Sequence, residues 1–87
     1  FPSSGEINFT ISNPSRRMKI VKEFFASVAS SIDEIDGLSM SFENWRFNLR
    51  RSNTEPLVRL NVEALGDEQL MLRKQEQLKN LIIGTKS

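Results

Sequence analysis

The run Leu38-Ser39-Met40-Ser41-Phe42-Glu43-Asn44-Trp45-Arg46-Phe47-Asn48-Leu49-Arg50 decides the fold. Leu38, Met40 and Phe42 alternate with Ser39, Ser41 and Glu43. After the polar pair Glu43-Asn44, Trp45, Phe47 and Leu49 alternate with Arg46, Asn48 and Arg50. A period of two is the repeat of a strand with one face buried. Two such runs around a short polar break predict a β-hairpin. Beyond the polar segment Arg51–Pro56, Val58, Leu60, Val62 and Ala64 face one way and Arg59, Asn61 and Glu63 the other, which predicts a further strand.

The flanks extend this pattern. Glu6–Ile11 alternates as well, with Ile7, Phe9 and Ile11 on the apolar side. In Asn13-Pro14 the asparagine suits an N-cap and the proline suits the first helical position, where a missing N–H loses nothing. Met18, Val21, Phe25, Val28 and Ile32 then recur at spacings of three and four, with Phe24 widening the stripe. This predicts an amphipathic helix over roughly 14–31. Arg16, Arg17, Lys19, Lys22 and Glu23 lie mostly off the stripe and read as its solvated face. Asp36-Gly37 marks a turn, and Gly66-Asp67 ends the last strand. A second helix over about 68–83 follows, using Leu70, Met71, Leu78, Leu81 and Ile82. The order β-α-β-β-β-α, with each strand apolar on one side, predicts an α+β two-layer sandwich: a mostly antiparallel four-stranded sheet covered on one face by two helices.

Composition narrows the function. The 87 residues contain no cysteine and no histidine, and twelve Lys+Arg against eleven Asp+Glu leave a formal charge of +1. The length predicts one domain over residues 1–87, burying about 60–65% of its unfolded surface. Disulfides, thiolate nucleophiles, Cys-based zinc sites, imidazole bases and Ser-His-Asp triads are all excluded. Carboxylates alone could hold a metal, and none cluster convincingly. The longest apolar runs, such as Leu81-Ile82-Ile83, fall far short of a bilayer span. Near-neutral charge argues against bulk electrostatic binding of nucleic acid. The chain opens on Phe1-Pro2, which reads as a piece of something longer.

Fold-building leaves Asn48–Pro56 unexplained. The segment joins two strands, so it is expected at an exposed sheet end. Arg50 and Arg51 offer guanidinium forks, Ser52 and Thr54 hydroxyls, Asn53 an amide, and small polar residues let successive N–H groups turn toward one anion. The same residues also read as ordinary turn chemistry with solvated arginines. Glu55 works against an anion unless its carboxylate turns away.

The run Arg50-Arg51-Ser52-Asn53-Thr54-Glu55-Pro56, followed by Arg59-Leu60-Asn61-Val62-Glu63-Ala64, resembles the C-terminal domain of the α-D-phosphohexomutases. Their loop follows Arg-x-Ser-(Gly/Asn)-Thr-x-Pro. Ser4-Gly5-Glu6-Ile7-Asn8, Asp36-Gly37-Leu38-Ser39 and Trp45–Arg50 extend the likeness over essentially the whole chain, toward the bacterial phosphomannomutase type of that family. The resemblance implies a TATA-box-binding-protein-like fold and the fourth, C-terminal domain of a larger cytoplasmic isomerase. By it, Arg50, Ser52, Asn53 and Thr54 hold the substrate phosphate, Arg51 falls on a variable position, and Arg59 and Glu63 are structural.

The family's phosphoserine segment, its Asp-rich Mg²⁺ loop and its sugar loop have no counterpart here. The fragment is therefore expected to hold no catalytic residue and no metal, Mg²⁺ binding outside it in the full-length enzyme. The expected partners are a hexose phosphate (a mannose phosphate, feeding GDP-mannose supply) and the other domains of the enzyme, with no nucleic acid and no membrane. The alternatives are a phosphoglucomutase or phosphoglucosamine mutase domain, a scaffolding domain, or a small nucleic-acid module reading bases on the Trp45 strand. That strand's aromatics share the parity of the core, which leaves no platform.

Overall fold

In a computed structural model, which describes residues 5–11, 13–35, 37–52 and 54–84, the chain forms five strands and two helices. In chain order these are β1 (Ile7–Thr10), α1 (Pro14–Phe25), β2 (Ser31–Asp33), β3 (Leu38–Ser41), β4 (Trp45–Arg51), β5 (Leu57–Ala64) and α2 (Glu68–Ile83). The sheet runs β1-β5-β4-β3-β2, with every neighbouring pair antiparallel.

The predicted hairpin is β3–β4. Leu38 faces Leu49 and Met40 faces Phe47, and the Phe42 N–H donates to the Trp45 carbonyl at 2.8 Å to close the turn. β5 pairs along the whole of β4, from Trp45 opposite Ala64 to Arg51 opposite Val58. The inward residues of these strands meet both helices. Leu49, Val58, Leu60 and Val62 share a continuous core with Val21 and Phe25 of α1 and Met71, Leu78 and Ile82 of α2. Phe25 anchors one end, its ring centroid 5.4 Å from Phe42 and from Trp45, while those two rings stack at 4.1 Å. The aromatics of β4 therefore point into the helical layer.

Helix entry follows the predicted chemistry. The Asn13 side-chain oxygen accepts from the Arg16 N–H at 3.2 Å, with Pro14 in the first turn. Asp67 accepts from the Leu70 N–H at 3.0 Å. These caps satisfy N–H groups that have no partner inside the helix.

Two expectations need correction. Among the described residues the sheet has five strands, not four, and α1 ends at Phe25 instead of continuing to residue 31. Phe25 already completes the buried stripe; Val28 is 68% exposed and Ile32 40%. The main chain turns at Ala26–Val28, and both the N–H and the hydroxyl of Ser30 donate to the Ser41 carbonyl, at 2.8 and 2.9 Å. Pairing with β3 thus captures Ser31–Asp33 as a strand. Pairing across the sheet overrides a helical spacing whose last two apolar residues have nothing to pack on.

Candidate functional site

Side-chain parity divides β4 between two environments. Trp45, Phe47, Leu49 and Arg51 share the helical side, while Arg46, Asn48 and Arg50 share the open face of the sheet. On that face Arg46 donates to Glu63 at 2.7 Å and Asn48 donates to the Ser39 hydroxyl at 2.7 Å. One step further along, Arg50 stands opposite Arg59 of β5, and Arg59 in turn opposite Asn8 of β1.

The β4–β5 connection begins where the two arginines face each other. The Ser52 N–H donates to the Leu57 carbonyl at 2.9 Å, closing the base of the connection. The Ser52 hydroxyl oxygen accepts the N–H groups of Thr54 and Glu55, at 3.2 and 3.3 Å, and lies 3.4 Å from the Thr54 hydroxyl. Two successive main-chain donors and two hydroxyls thus converge on one small region. The Pro56 carbonyl accepts from the Ile11 N–H at 2.9 Å, which ties the exit of the loop to the end of β1. Glu55 is exposed. Asn53 lies outside the described residues.

The structure brings Arg50, Ser52 and Thr54 to one end of the sheet and places Arg51 on its opposite side. On the helical side, the Arg51 guanidinium donates to the Ser15 hydroxyl in the first turn of α1, joining the end of β4 to the helix. Arg59, which alternation marked as outward and the resemblance as structural, faces Arg50 across the sheet. Its Nε is buried and has no hydrogen-bond partner among the described residues. A buried N–H without an acceptor is unfavourable, and more so on a charged group. The signal for Arg59 was present in the sequence: counting back from a hairpin register places it directly across from Arg50.

Chemically, the arrangement is a cluster of donors. Guanidinium groups, main-chain N–H groups and hydroxyls can all point at oxygens of an anion, and the hydroxyls become nucleophiles only beside a general base. Among the described residues no group of three or more His, Cys, Asp or Glu side chains stands together as a metal ion requires.

An antiparallel sheet with helices on one side and a donor-rich connection at one end defines an α+β two-layer domain. The sequence profile of the phosphoglucomutase/phosphomannomutase C-terminal domain matches residues 6–81, and the chain belongs to that family. It is 51% identical over 82 residues to a phosphomannomutase of Salmonella montevideo, covering 94% of this chain and 18% of that protein. A phosphomannomutase of Methanocaldococcus jannaschii is 49% identical over 82 residues, again 94% of this chain and 18% of the relative. Phosphohexose mutases of Xanthomonas campestris are 44% identical over 84 residues, 97% of this chain and 19% of theirs. The chain thus spans less than a fifth of the length of the relatives it matches. In fold it is similar to a phosphoglucomutase/phosphomannomutase family protein of Burkholderia thailandensis, with a TM-score of 0.68 at 24% identity, over 92% of this chain and 17% of that one.

Proposed function

We propose that this chain is the phosphate-holding C-terminal domain of a phosphomannomutase, which interconverts mannose 6-phosphate and mannose 1-phosphate. The observation that carries this reading is the facing pair Arg50 and Arg59, with the buried Arg59 Nε lacking an acceptor among the described residues, beside a loop whose Thr54 and Glu55 N–H groups gather on the Ser52 hydroxyl. A dianionic phosphate supplies an acceptor for the buried Arg59 Nε and a charge complementary to both guanidinium groups. Arg50 and Arg59 hold it by charge, and Ser52, Asn53 and Thr54 by hydroxyl, amide and main-chain donors.

Nothing in this donor set transfers a phosphoryl group. The reacting serine and Mg²⁺ belong to the rest of the enzyme, and the chain alone has no mutase activity. Its contribution is to fix the phosphate that is not reacting, so that the other end of the sugar sits where chemistry occurs. The names of the relatives support mannose over glucose or glucosamine. The enzyme works in the cytoplasm, where sugar phosphates are held.

A chimera tests the reading. This chain replaces the matching C-terminal segment of the Salmonella montevideo phosphomannomutase, and kcat/KM is measured with mannose 1-phosphate. The chimera should be active, and Arg50→Ala within it should lower kcat/KM by about 10- to 100-fold, the worth of a hydrogen bond to a charged group. An active chimera indifferent to Arg50→Ala contradicts the reading.

A further inference from the structure

The turn between β2 and β3 presses a glycine against Arg50. Leu38 pairs with Leu49, so Gly37 falls beside Arg50 at the next step of the ladder. Gly37 has φ +85°, and a Cβ added there would lie 2.8 Å from the Arg50 Cγ, 2.9 Å from the Leu49 carbonyl oxygen and 3.2 Å from the Arg50 Cα. Carbon atoms rest about 3.5–4.0 Å apart, so no side chain fits. Two of the three neighbours are main-chain atoms of a paired strand, and the third is the root of the arginine stem. None can yield as the far end of a flexible side chain would.

The turn is itself held in place. The Asp33 carboxylate accepts the Ile35 N–H at 2.8 Å, and Lys22 of α1 donates to Glu34 at 2.8 Å. Gly37 thus lies close against one side of the Arg50 stem.

We propose that Gly37 is a positioning residue for Arg50: by lacking a side chain it lets the turn close on the arginine stem and sets the direction in which the guanidinium leaves the sheet. The inference rests on the phosphate reading of the loop for its consequence, though the geometry stands independently of it. The guanidinium sits several bonds beyond Cγ, so a small displacement at the root is magnified at the head. A misplacement of about 1 Å at a positioned group can lose 10²-fold in rate.

Gly66 provides the matched control. It too has positive φ, at +66°, but an added Cβ would meet nothing within 4 Å. Alanine at either position pays for the left-handed backbone, and only at Gly37 does it also strike Arg50.

The test compares the 87-residue chain with Gly37→Ala, Gly37→Asn, Gly66→Ala and Arg50→Ala, titrated with inorganic phosphate and followed by proton–nitrogen spectra that include the arginine Nε. The χ1 couplings of Arg50 are measured before phosphate is added. Asparagine tolerates positive φ but carries a Cβ, which separates backbone strain from the clash. Expected are altered Arg50 χ1 couplings and about tenfold weaker phosphate binding in both Gly37 variants, with Gly66→Ala matching the original chain in both respects. Unchanged couplings and affinity in folded Gly37 variants overturn the inference while leaving the phosphate reading intact. Unfolding of both Gly37 variants overturns it as well, because Gly37 would then serve the fold and not the arginine. A lack of phosphate binding by the original chain is a different failure: it removes the phosphate reading, and the role of Gly37 toward phosphate falls with it.

Discussion

Arg50 and Arg59 stand directly opposite each other on β4 and β5, and the Nε of Arg59 is buried without an acceptor among the described residues. Like charges facing across an antiparallel pair are destabilising by a few tenths to about 1 kcal/mol. Arg59→Leu, which keeps bulk and removes the charge, should therefore hold or raise stability in urea in the absence of phosphate. The same variant should lose most of the stabilisation that phosphate confers. A protein that binds only when folded gains about 2.7 kcal/mol at a ligand concentration of 100 times Kd. Urea midpoints with and without phosphate, in both proteins, check the two halves separately.

Ser52 organises the loop by accepting two main-chain N–H groups. Ser52→Ala removes that acceptor and should lower stability by about 1 kcal/mol or less, since the loop is exposed and water replaces the hydroxyl in part. Amide exchange gives the sharper reading. The Thr54 and Glu55 amides should exchange faster in Ser52→Ala and slower in the original chain once phosphate is added.

Arg46 and Glu63 test the opposite expectation, because they share the open face with Arg50 but lie away from the loop. Their ion pair measures 2.7 Å, with the arginine side chain 60% and the glutamate side chain 35% exposed. Glu63→Ala should change stability by no more than about 1 kcal/mol and leave phosphate affinity unaltered, as measured by urea denaturation and phosphate titration.

Phe25 joins α1 to the aromatic end of the sheet, touching the rings of Phe42, Trp45 and Phe47. Phe25→Ala should lower stability by about 3–5 kcal/mol. A domain of this size has roughly 5–15 kcal/mol in total, so thermal unfolding should shift downward steeply.

The ligand, and not the site, should set the pH dependence. A phosphate monoester gains its second negative charge with a pKa of about 6. Affinity for mannose 1-phosphate should accordingly rise as pH goes from about 5 to 7, then level off, when followed by titration at fixed ionic strength.

The sequence made most of this fold legible because its strands are solvated on one face. Alternation over Leu38–Leu49 and Val58–Ala64 identifies the inward residues, and those residues form the core. Asn13-Pro14 and Asp67 likewise mark the helix starts by local chemistry that packing does not disturb. The end of α1 was hidden for the reverse reason. Val28 and Ile32 keep the helical spacing, but their fate was decided by Ser30 and Ser31 finding β3, a partner ten residues away in sequence and invisible to spacing. The loop shows the same division. Arg50, Ser52 and Thr54 sit in one short segment that can be read locally. Arg59 joins them only through the β4–β5 register, and Gly37 only through the β3–β4 register. As donors Arg50 and Arg51 read alike, the resemblance put Arg51 on a variable position, and strand parity places the two on opposite sides of the sheet.

Titration of the 87-residue chain with inorganic phosphate, read residue by residue in proton–nitrogen spectra, tests the central claim most directly. Saturable shifts should be confined to Arg50, Arg59 and the segment 52–55, Asn53 included, with a Kd of about 1 mM, equivalent to roughly −4 kcal/mol. Arg50→Ala should abolish them. Shifts absent at high phosphate, or spread over the lysines and arginines of α1 and unaffected by Arg50→Ala, would contradict the claim.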